Sequence, residues 1–498
     1  MKFIVFLSLF ITLSLHAKNI HYLTLEDCQK IARESSYQMR SLIENLKIAR
    51  YQLNSARNRF KTQVNFYAQL PDYSETISSL QDSSGLHYFP VKQANFSGNL
   101  QISQPLPTDG TIYLGTGVYH VQDYFRNEQS FRLNTRIGLE QPIEAFYAYN
   151  HLQSALKLAQ LNYNLSKKRL LRAQLDLEYQ VAQTFYNLYS AVEQERIAQQ
   201  TLEQQEDAYK LAVNKFKAGV IAEVEALQME VDLGQARNNY DLARVKHLAD
   251  SDALKQLLNI DLQDSIVVNT DLTYPIVQVS LDTAIEFGLK NRLELQEQKI
   301  SIEQQKLNIA QIRAQHVITG KISAYYDFIG VKQDPQAYSL PTTFNNAWDE
   351  LKRRPGNRGV ALTVNIPLWD WGVNKNQVLA AKAQLKKMQL SLKDSRITII
   401  RDIRNTVLEL KTSLRRLQLL EKNVQVAEKS YAISKKRFAN GDINSQALAL
   451  DRNRLSQAYN SRLNALISYK LQLANVKRKT FYDFVHHKPV ELDMYLSE

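Results

Sequence analysis

The sequence predicts a mainly α-helical chain with a membrane β-barrel portion, built from two copies of one helix–strands–helix–helix unit. Glycine (15) and proline (11) are scarce among the 498 residues, which favours long helices over small folded modules. The apolar residues follow a helical period over long segments and change to strict alternation in two places. A helix break at Gly219 returns 222 residues later at Gly441.

The repeat is clearest around these two glycines. The stretch "NKFKAGVIAEVEAL" (214–227) corresponds to "KKRFANGDINSQALAL" further along the chain. A glycine inside a helix costs roughly 1 kcal/mol relative to alanine, so both positions predict a break between two helices. The matched pairs are Tyr209 with Tyr431, Phe216 with Phe438, Gly219 with Gly441 and Ile221 with Ile443.

The first 17 residues, "MKFIVFLSLFITLSLHA", have one lysine, an apolar core and small or polar residues at their end. This is typical of a secretory signal peptide and too short for a spanning helix. We therefore divide the chain into a signal peptide (1–17), a first repeat (18–270), a second repeat (271–484) and a tail (485–498). The only cysteine, Cys28, cannot form an intrachain disulfide and is expected on a helix face.

The first repeat begins with a predicted helix from Leu25 to Lys61. Strands follow between about 63 and 142. A long helix then runs from about Ile143 to the break at Gly219, and a return helix covers Ala222 to Leu258. At 1.5 Å per residue the long helix spans on the order of 100–110 Å. No globular domain needs a helix of that length, whereas a tunnel or a spacer does.

The second repeat has the same order of elements. A helix is predicted from Leu281 to Gln315, and strands at about 320–368 enclose a polar loop of roughly 25 residues. A long helix then extends from Val373 to Ala439. The last helix follows Gly441 and ends near Phe484.

The strands alternate between an apolar and a polar face. In "RLNTRIGLE", Leu133 and Ile137 oppose Arg132 and Arg136. Strands of about nine to eleven residues with one apolar face can cross an outer membrane. An open sheet edge is not tolerated in lipid, so the barrel must close, and one chain has too few strands to close a wide pore. We expect an oligomer with both arginines in the barrel lumen.

The last strand of each repeat ends at a proline, Pro142 in "LEQPI" and Pro367 in "NIPLWDWG". Proline ends the ladder and redirects the chain. Trp369 and Trp371 follow directly, where tryptophans of a membrane interface would lie. Packing against the protein is the alternative for both.

Other function classes find little support. The net charge of +12 comes from lysine and arginine interleaved with acidic residues, which is typical of solvated helix faces and not of nucleic-acid binding. Enzyme motifs such as HExxH, CxxC, a Walker loop or GxSxG are missing from the sequence. The pair His486-His487 alone does not make a metal site. We expect neither a cofactor nor a metal.

The whole mature chain resembles the TolC-like outer-membrane efflux proteins. The resemblance is carried by "LTLEDCQKIA", "LDTAIEFGLKN", "VALTVNIPLWDWG" and the two glycine-containing turns, in that family's order. It implies a homotrimer with a β-barrel in the outer membrane, continuous with a periplasmic α-helical tunnel. It also implies passive exit for substrates delivered by an inner-membrane efflux or secretion transporter through a periplasmic adaptor protein.

Strand number is left open. The family has four strands per chain, whereas the additional segment "TIYLGTGVYHV" permits six. We prefer four, with the loops around 71–94 outside the cell.

The resemblance places the two turns at the periplasmic entrance of the tunnel, as hairpin tips that dock the adaptor. The tip residues are Lys215, Phe216, Gly219, Ile221, Arg437, Phe438, Gly441 and Ile443. The family carries aspartates six and nine residues after the second tip glycine, where this chain has Ala447 and Leu450. We expect charge pairs between neighbouring tips to hold the entrance shut. The candidate gate residues are Glu225, Asp442, Leu450 and Asp451.

A second hypothesis comes from a different class. The chain could be a secreted periplasmic coiled-coil scaffold without a pore. The alternating strands and the tryptophans at the junction argue against it.

Overall fold

Helices form most of the described chain, and one six-stranded sheet forms most of the remainder. The computed structural model describes residues 19–269, 273–336 and 338–490. The predicted signal peptide and residues 491–498 of the predicted tail lie outside this part. The helices are α1 (Leu25–Ser35), α2 (Tyr37–Asn58), α3 (His151–Lys217), α4 (Glu223–Leu258), α5 (Leu281–Asn291), α6 (Leu293–Ala314), α7 (Leu340–Arg353), α8 (Val373–Asn440) and α9 (Ser445–Thr480). The strands are β1 (Ile20–Leu23), β2 (Gln63–Asp82), β3 (Gly85–Pro105), β4 (Thr111–Asp123), β5 (Glu128–Pro142), β6 (Ser265–Val268), β7 (Thr319–Pro335), β8 (Asn357–Asn365), β9 (Tyr482–Asp483) and β10 (Lys488–Pro489).

The chain divides into two compact units. The described residues of the helical unit lie within Met1–Asn45, Lys167–Glu297 and Leu392–Glu498, and those of the sheet unit lie within Leu46–Ser166 and Gln298–Ser391. Each unit takes segments from both predicted repeats, so the repeat boundaries at 18–270 and 271–484 stay a prediction. Among the described residues, no helix is both long enough and apolar enough to cross a membrane.

The two long helices predicted from the apolar period are present, with 67 residues in α3 and 68 in α8. Each is followed by a return helix of 36 residues. The start of α3 lies later than the predicted Ile143. Asp109, in the turn before β4, accepts hydrogen bonds from the backbone N–H groups of His151 and Leu152 at 2.9 and 3.0 Å. These bonds satisfy the first turn, so the helix begins there.

The first helix of each repeat is broken, whereas the sequence predicted one continuous helix in both places. The breaks lie at Ser36 and Arg292, where the backbone is extended (ψ 138° and 121°). Both follow a helix of 11 residues and precede one of 22 residues, so the break is part of the duplication. The last helix ends at Thr480 instead of Phe484, because Phe481 adopts a left-handed conformation (φ 56°).

The helical unit has a core of buried apolar side chains from α5, α8 and α9. Leu417 and Tyr469 are fully buried in it. The Tyr469 hydroxyl donates to the carbonyl of Pro275 at 2.6 Å, which holds the linker between the repeats against this core. β1 pairs in parallel with β6 in the same unit.

The sheet unit has six antiparallel strands in the order β2-β3-β4-β5-β7-β8. The preference for four strands was wrong, because "TIYLGTGVYHV" forms β4 and pairs with both of its neighbours. Residues 71–94 are not a loop either. They continue β2 and β3 as one long hairpin whose pairing extends to Asp82 with Gly85. The polar loop predicted between β7 and β8 contains α7, which Ser339 caps by accepting from the Thr342 N–H.

Candidate functional site

The first hairpin tip lies between α3 and α4. Gly219 has a φ of +70°, a conformation that residues with a Cβ rarely adopt. The Val220 N–H donates to the Lys215 carbonyl at 2.9 Å, and the Gly219 N–H donates to the Phe216 carbonyl at 2.9 Å. This is the Schellman pattern, which satisfies the last carbonyls of a helix.

The second tip, between α8 and α9, repeats this backbone. Gly441 has a φ of +85°. The Asp442 N–H donates to the Arg437 carbonyl at 2.9 Å, and the Gly441 N–H donates to the Phe438 carbonyl at 3.2 Å. A Cβ built on either tip glycine meets no atom within 4 Å. The backbone conformation, and not lack of space, therefore demands glycine at both tips, and the two predicted helix breaks are confirmed.

The two tips of one chain pack against each other. Phe438 is only 2% exposed and lies in a cluster with Met229 and Leu448. The Lys215 ammonium group lies 4.6 Å from the centroid of the Phe438 ring and donates to the Phe438 carbonyl at 2.5 Å. Two of the predicted tip residues, Lys215 and Phe438, are thus brought into contact. Ile221 and Ile443 pack at the edge of the same cluster.

A buried arginine lies on α9, further from the turn. The Arg452 side chain is 7% exposed, and its nearest carboxylate is Asp232 on α4, at 3.9 Å. Its Nε and Nη1 atoms have no hydrogen-bond partner among the described residues. Burial lowers the pKa of this guanidinium group, although arginine stays charged at physiological pH. The contact between the two hairpins therefore contains an incompletely satisfied cation, which is unfavourable.

The candidate gate residues do not form one cluster. Asp451 accepts a hydrogen bond from the Ser434 hydroxyl at 2.5 Å and pairs with Arg454 at 3.2 Å, both within its own hairpin. Asp442 is exposed, Leu450 is 50% exposed and Glu225 is partly exposed. The ion pair that joins the two hairpins here uses Asp232. The sequence did not point to Asp232, because its partner lies 220 residues away.

The sheet separates polar from apolar side chains. The strand register places Asn99, Gln101, Arg132, Arg136 and Asp327 on one face. It places Phe66, Leu100, Leu114, Ile137 and Leu362 on the other.

Arg136 is part of a polar cluster on the first face. It donates to Asp327 at 2.6 Å, and its guanidinium carbon lies 4.4 Å from the centroid of the Tyr325 ring. Arg132 lies on the same strand and face, closer to the β4–β5 turn, and is exposed.

Helix α7 covers one end of the apolar face. The Gln129 side chain donates to the Tyr338 carbonyl at 2.7 Å and to the Thr343 hydroxyl at 3.1 Å. The rings of Phe131 and Phe344 pack edge to face. As a result Leu133 is only 5% exposed. The proline near the start of this helix, after Ser339, is a helix-start signal that could have predicted it.

The strand-to-helix junction of the second repeat presents its tryptophans outward. Trp369 and Trp371 are 74% and 87% exposed, and their rings contact each other edge to face. Asp370 between them accepts hydrogen bonds from the N–H groups of Gly372 and Asn374 and so caps α8. In the first repeat Pro142 is the last residue of β5, whereas Pro367 lies two residues beyond β8.

The described part of the chain contains neither a reactive cysteine nor a group of metal-binding side chains. Cys28 is fully buried, and burial raises the pKa of its thiol to about 12. Histidine, cysteine and acidic side chains do not group there as they would around a metal ion.

Comparisons with known proteins agree with this architecture. A profile of the outer membrane efflux protein family matches residues 122–259 and 345–479, which is more than half of the chain. No curated protein matches the chain in sequence.

Solved structures share the fold. The CmeC outer membrane channel of Campylobacter jejuni has a TM-score of 0.68 at 16% identity, over 94% of this chain and 87% of that one. The outer membrane protein VceC of Vibrio cholerae has 0.66 at 14% identity, over 94% and 97%. The open state of the Neisseria gonorrhoeae MtrE channel has 0.64 at 16% identity, over 92% and 88%.

Proposed function

The chain belongs to the outer membrane efflux protein family and is a channel protein of the outer membrane, not an enzyme; on this premise we propose how it assembles and opens. Three copies form one channel that extends into the periplasm. An inner-membrane efflux or secretion transporter delivers small molecules or proteins to it through a periplasmic adaptor protein. Transport through the channel is passive.

The proposed assembly rests on the apolar face and the two open edges of the sheet. One of its faces is apolar, and β2 and β8 are its two edges. An unpaired edge in hydrocarbon leaves backbone groups unsatisfied, at a cost of several kcal/mol for each group. Pairing β8 of one chain with β2 of the next removes both edges. Three chains with six strands each give eighteen strands, a number that leaves an aqueous interior.

The polar face of the sheet lines this interior. Arg132 and Arg136 belong to it, because an arginine on the lipid face at mid-bilayer costs about 2–4 kcal/mol. The apolar face contacts outer-membrane lipid. Pro142 and Pro367 mark the periplasmic end of the barrel, and the exposed Trp369 and Trp371 lie at the membrane interface.

The hairpin tips form the periplasmic entrance and the docking site for the adaptor. The tip residues around Gly219 and Gly441 supply exposed charge, and the grooves between neighbouring hairpins receive helices of the adaptor. Charge pairs between the tips act as a latch, with Glu225, Asp442 and Asp451 as gate residues and Leu450 as an apolar constriction. Exposed pairs are worth under about 1 kcal/mol each, which suits a latch that must open.

The buried Arg452 supports a closed state that opens readily. Separating the two hairpins hydrates its unpaired N–H groups, and this hydration offsets part of the free energy needed to expose the apolar side chains around Phe438. The closed tip therefore depends on packing and on the exposed charge pairs, whereas the buried Arg452 reduces the cost of opening it.

Assembly and pore are tested together. Mass measurement in detergent should give a trimer, and planar bilayers should show single-channel conductance. Arg132→Cys should react with a water-soluble thiol reagent and Ile137→Cys should not. Ile137 is the better control than Leu133, because α7 shields Leu133 on either assignment of the faces. A monomer without conductance would support the scaffold instead, and reversed labelling would show that the sheet faces are exchanged.

The latch has a separate test. Replacing Asp442 and Asp451 together with asparagine should raise the closed-state leak, and high salt should raise it in the unmodified protein through screening. If neither change alters the leak, apolar packing near Leu450 and Phe438 closes the entrance without the charges.

A further inference from the structure

The two hairpins of one chain are copies of each other. A contact between them inside one chain therefore has a counterpart in which the two hairpins exchange roles, and this counterpart can form only between two chains. Hairpin 1 (α3, Gly219 and α4) touches hairpin 2 (α8, Gly441 and α9) through one side of each. In a closed ring of alternating hairpins, the other side of hairpin 2 must meet the other side of hairpin 1 from the next chain. The residues for this contact are found by moving each observed partner by 222 positions.

The ion pair between the hairpins gives the first such prediction. Within the chain, Asp232 of hairpin 1 pairs with Arg452 of hairpin 2 at 3.9 Å. The position that corresponds to Asp232 in hairpin 2 is Arg454, and the position that corresponds to Arg452 in hairpin 1 is Glu230. Both charges are reversed, so the second contact again joins a carboxylate to a guanidinium group.

The aromatic contact gives the second prediction. Lys215 of hairpin 1 lies over the ring of Phe438 and donates to its carbonyl. The corresponding residues are Arg437 in hairpin 2 and Phe216 in hairpin 1. The second contact therefore also places a cation on a phenylalanine.

Exposure agrees with this assignment. Phe438 is 2% exposed and the Arg452 side chain is 7% exposed, whereas Phe216 is 40% exposed and both Glu230 and Arg437 are exposed. The Arg454 side chain is 66% exposed, although Asp451 on the same helix binds one of its nitrogens at 3.2 Å. A guanidinium group has five N–H donors, so Arg454 can bind a second carboxylate.

We infer that a second copy of this chain covers these residues: Arg454 of one subunit pairs with Glu230 of the next, and Arg437 lies on the Phe216 ring. The inference rests on the proposed trimer and adds which residues join its subunits at the tip. Two independent pairs of positions, one charged and one aromatic, keep their complementarity after exchange. An unrelated surface would not be expected to preserve both.

Cross-linking tests the inference directly. In a chain with Glu230→Cys and Arg454→Cys, a short bifunctional maleimide should join subunits and give a covalent trimer on a denaturing gel. The matched control combines Asp232→Cys with Arg454→Cys. These two residues occupy equivalent sides of the two hairpins, so the control should stay monomeric on the gel.

Charge reversal gives a second measurement that does not depend on cysteine. Glu230→Arg should raise the closed-state leak by about two- to fivefold, the range expected for losing an exposed pair. Adding Arg454→Glu should lower the leak below that of the single variant, although not to the value of the unmodified protein, because this change also removes the pair between Arg454 and Asp451.

These experiments test the trimer and the proposed interface between its subunits separately. A monomeric mass in detergent overturns the trimer and this interface with it. A trimer that shows no intersubunit cross-link, or in which the double reversal leaks as much as the single one, overturns the interface and leaves the trimer standing.

Discussion

The two hairpin tips have the same backbone conformation, but the surroundings of their side chains differ. Both end a long helix with a glycine in the left-handed region and with the same two hydrogen bonds to preceding carbonyls. Yet Phe438 is buried in the contact with hairpin 1, while Phe216 is exposed. Asn444 caps α9 through the Ala447 N–H, whereas Ala222 at the start of α4 offers no side-chain cap. The duplication therefore preserved the turn, and the side chains diverged because each copy faces a different neighbour.

The largest expected difference concerns the matched phenylalanines. Phe438→Ala should lower the free energy of opening of the tips by about 3–5 kcal/mol, the loss typical of a buried phenylalanine. Phe216→Ala should lower it by about 1 kcal/mol, because the ring is 40% exposed in its own chain and the next subunit adds a cation to it and not an apolar cluster. Hydrogen exchange of the tip amides in detergent measures both. Equal losses would mean that the two tips are packed alike.

The matched ion pairs should differ less. Asp232→Ala leaves the Arg452 guanidinium buried without its carboxylate and should cost about 1–3 kcal/mol. Glu230→Ala removes an exposed pair and should cost under about 1 kcal/mol. Arg452→Met should cost less than Asp232→Ala, because an apolar side chain can replace a buried ion pair and Asp232 remains partly hydrated. A larger loss for Arg452→Met would show that the pair itself stabilises the contact.

The glycines should behave alike. Gly219→Ala and Gly441→Ala should each cost about 1–2 kcal/mol, since alanine is strained at positive φ and neither position offers a new contact for its Cβ. The same exchange measurement applies. Unequal losses at the two tips would break the equivalence of their backbones.

The smallest expected effects are at the caps. Asn444→Ala should weaken the start of α9 by about 1 kcal/mol. Ala222→Asn should strengthen the start of α4 by a similar or smaller amount, because the backbone at Ala222 is already extended as a cap requires (ψ 154°). Protease cleavage rates at the two tips can follow both changes. No gain at Ala222 would show that the first tip cannot use a side-chain cap.

Sequence reasoning succeeded where the signal is local. A glycine inside a long apolar period predicted both tips, and strict alternation predicted the faces of β5. The breaks at Ser36 and Arg292 were missed because neither residue is a glycine or a proline. Ser36 nevertheless carries a local signal, because its hydroxyl accepts from the Met39 N–H at 3.2 Å and so caps α2. Helix α7 was missed although Ser339 and the following proline carry an ordinary helix-start signal.

Other features depend on partners distant in sequence. Residues 71–94 were predicted as loops, yet β2 and β3 pair from Asp72 with Asn95 to Asp82 with Gly85. A register shift between Gln69 and Asp72 accommodates Pro71. Arg452 pairs with Asp232 because of how the two hairpins are rotated relative to each other. The helical period of the sequence does not predict that rotation. The roles of the gate and docking residues stay predictions.

The unequal lengths of the two edge strands have a consequence for aggregation. β2 has 20 residues and β8 has nine, so pairing between edges can cover less than half of β2. The remaining edge of β2 is a template for an additional strand from any other chain. Pro71, the register shift beside it and the charges of Asp72 and Glu75 are the features that discourage such growth. Replacing Pro71, Asp72 and Glu75 together should make the free edge of β2 a site of self-association, without any change in the hairpin tips.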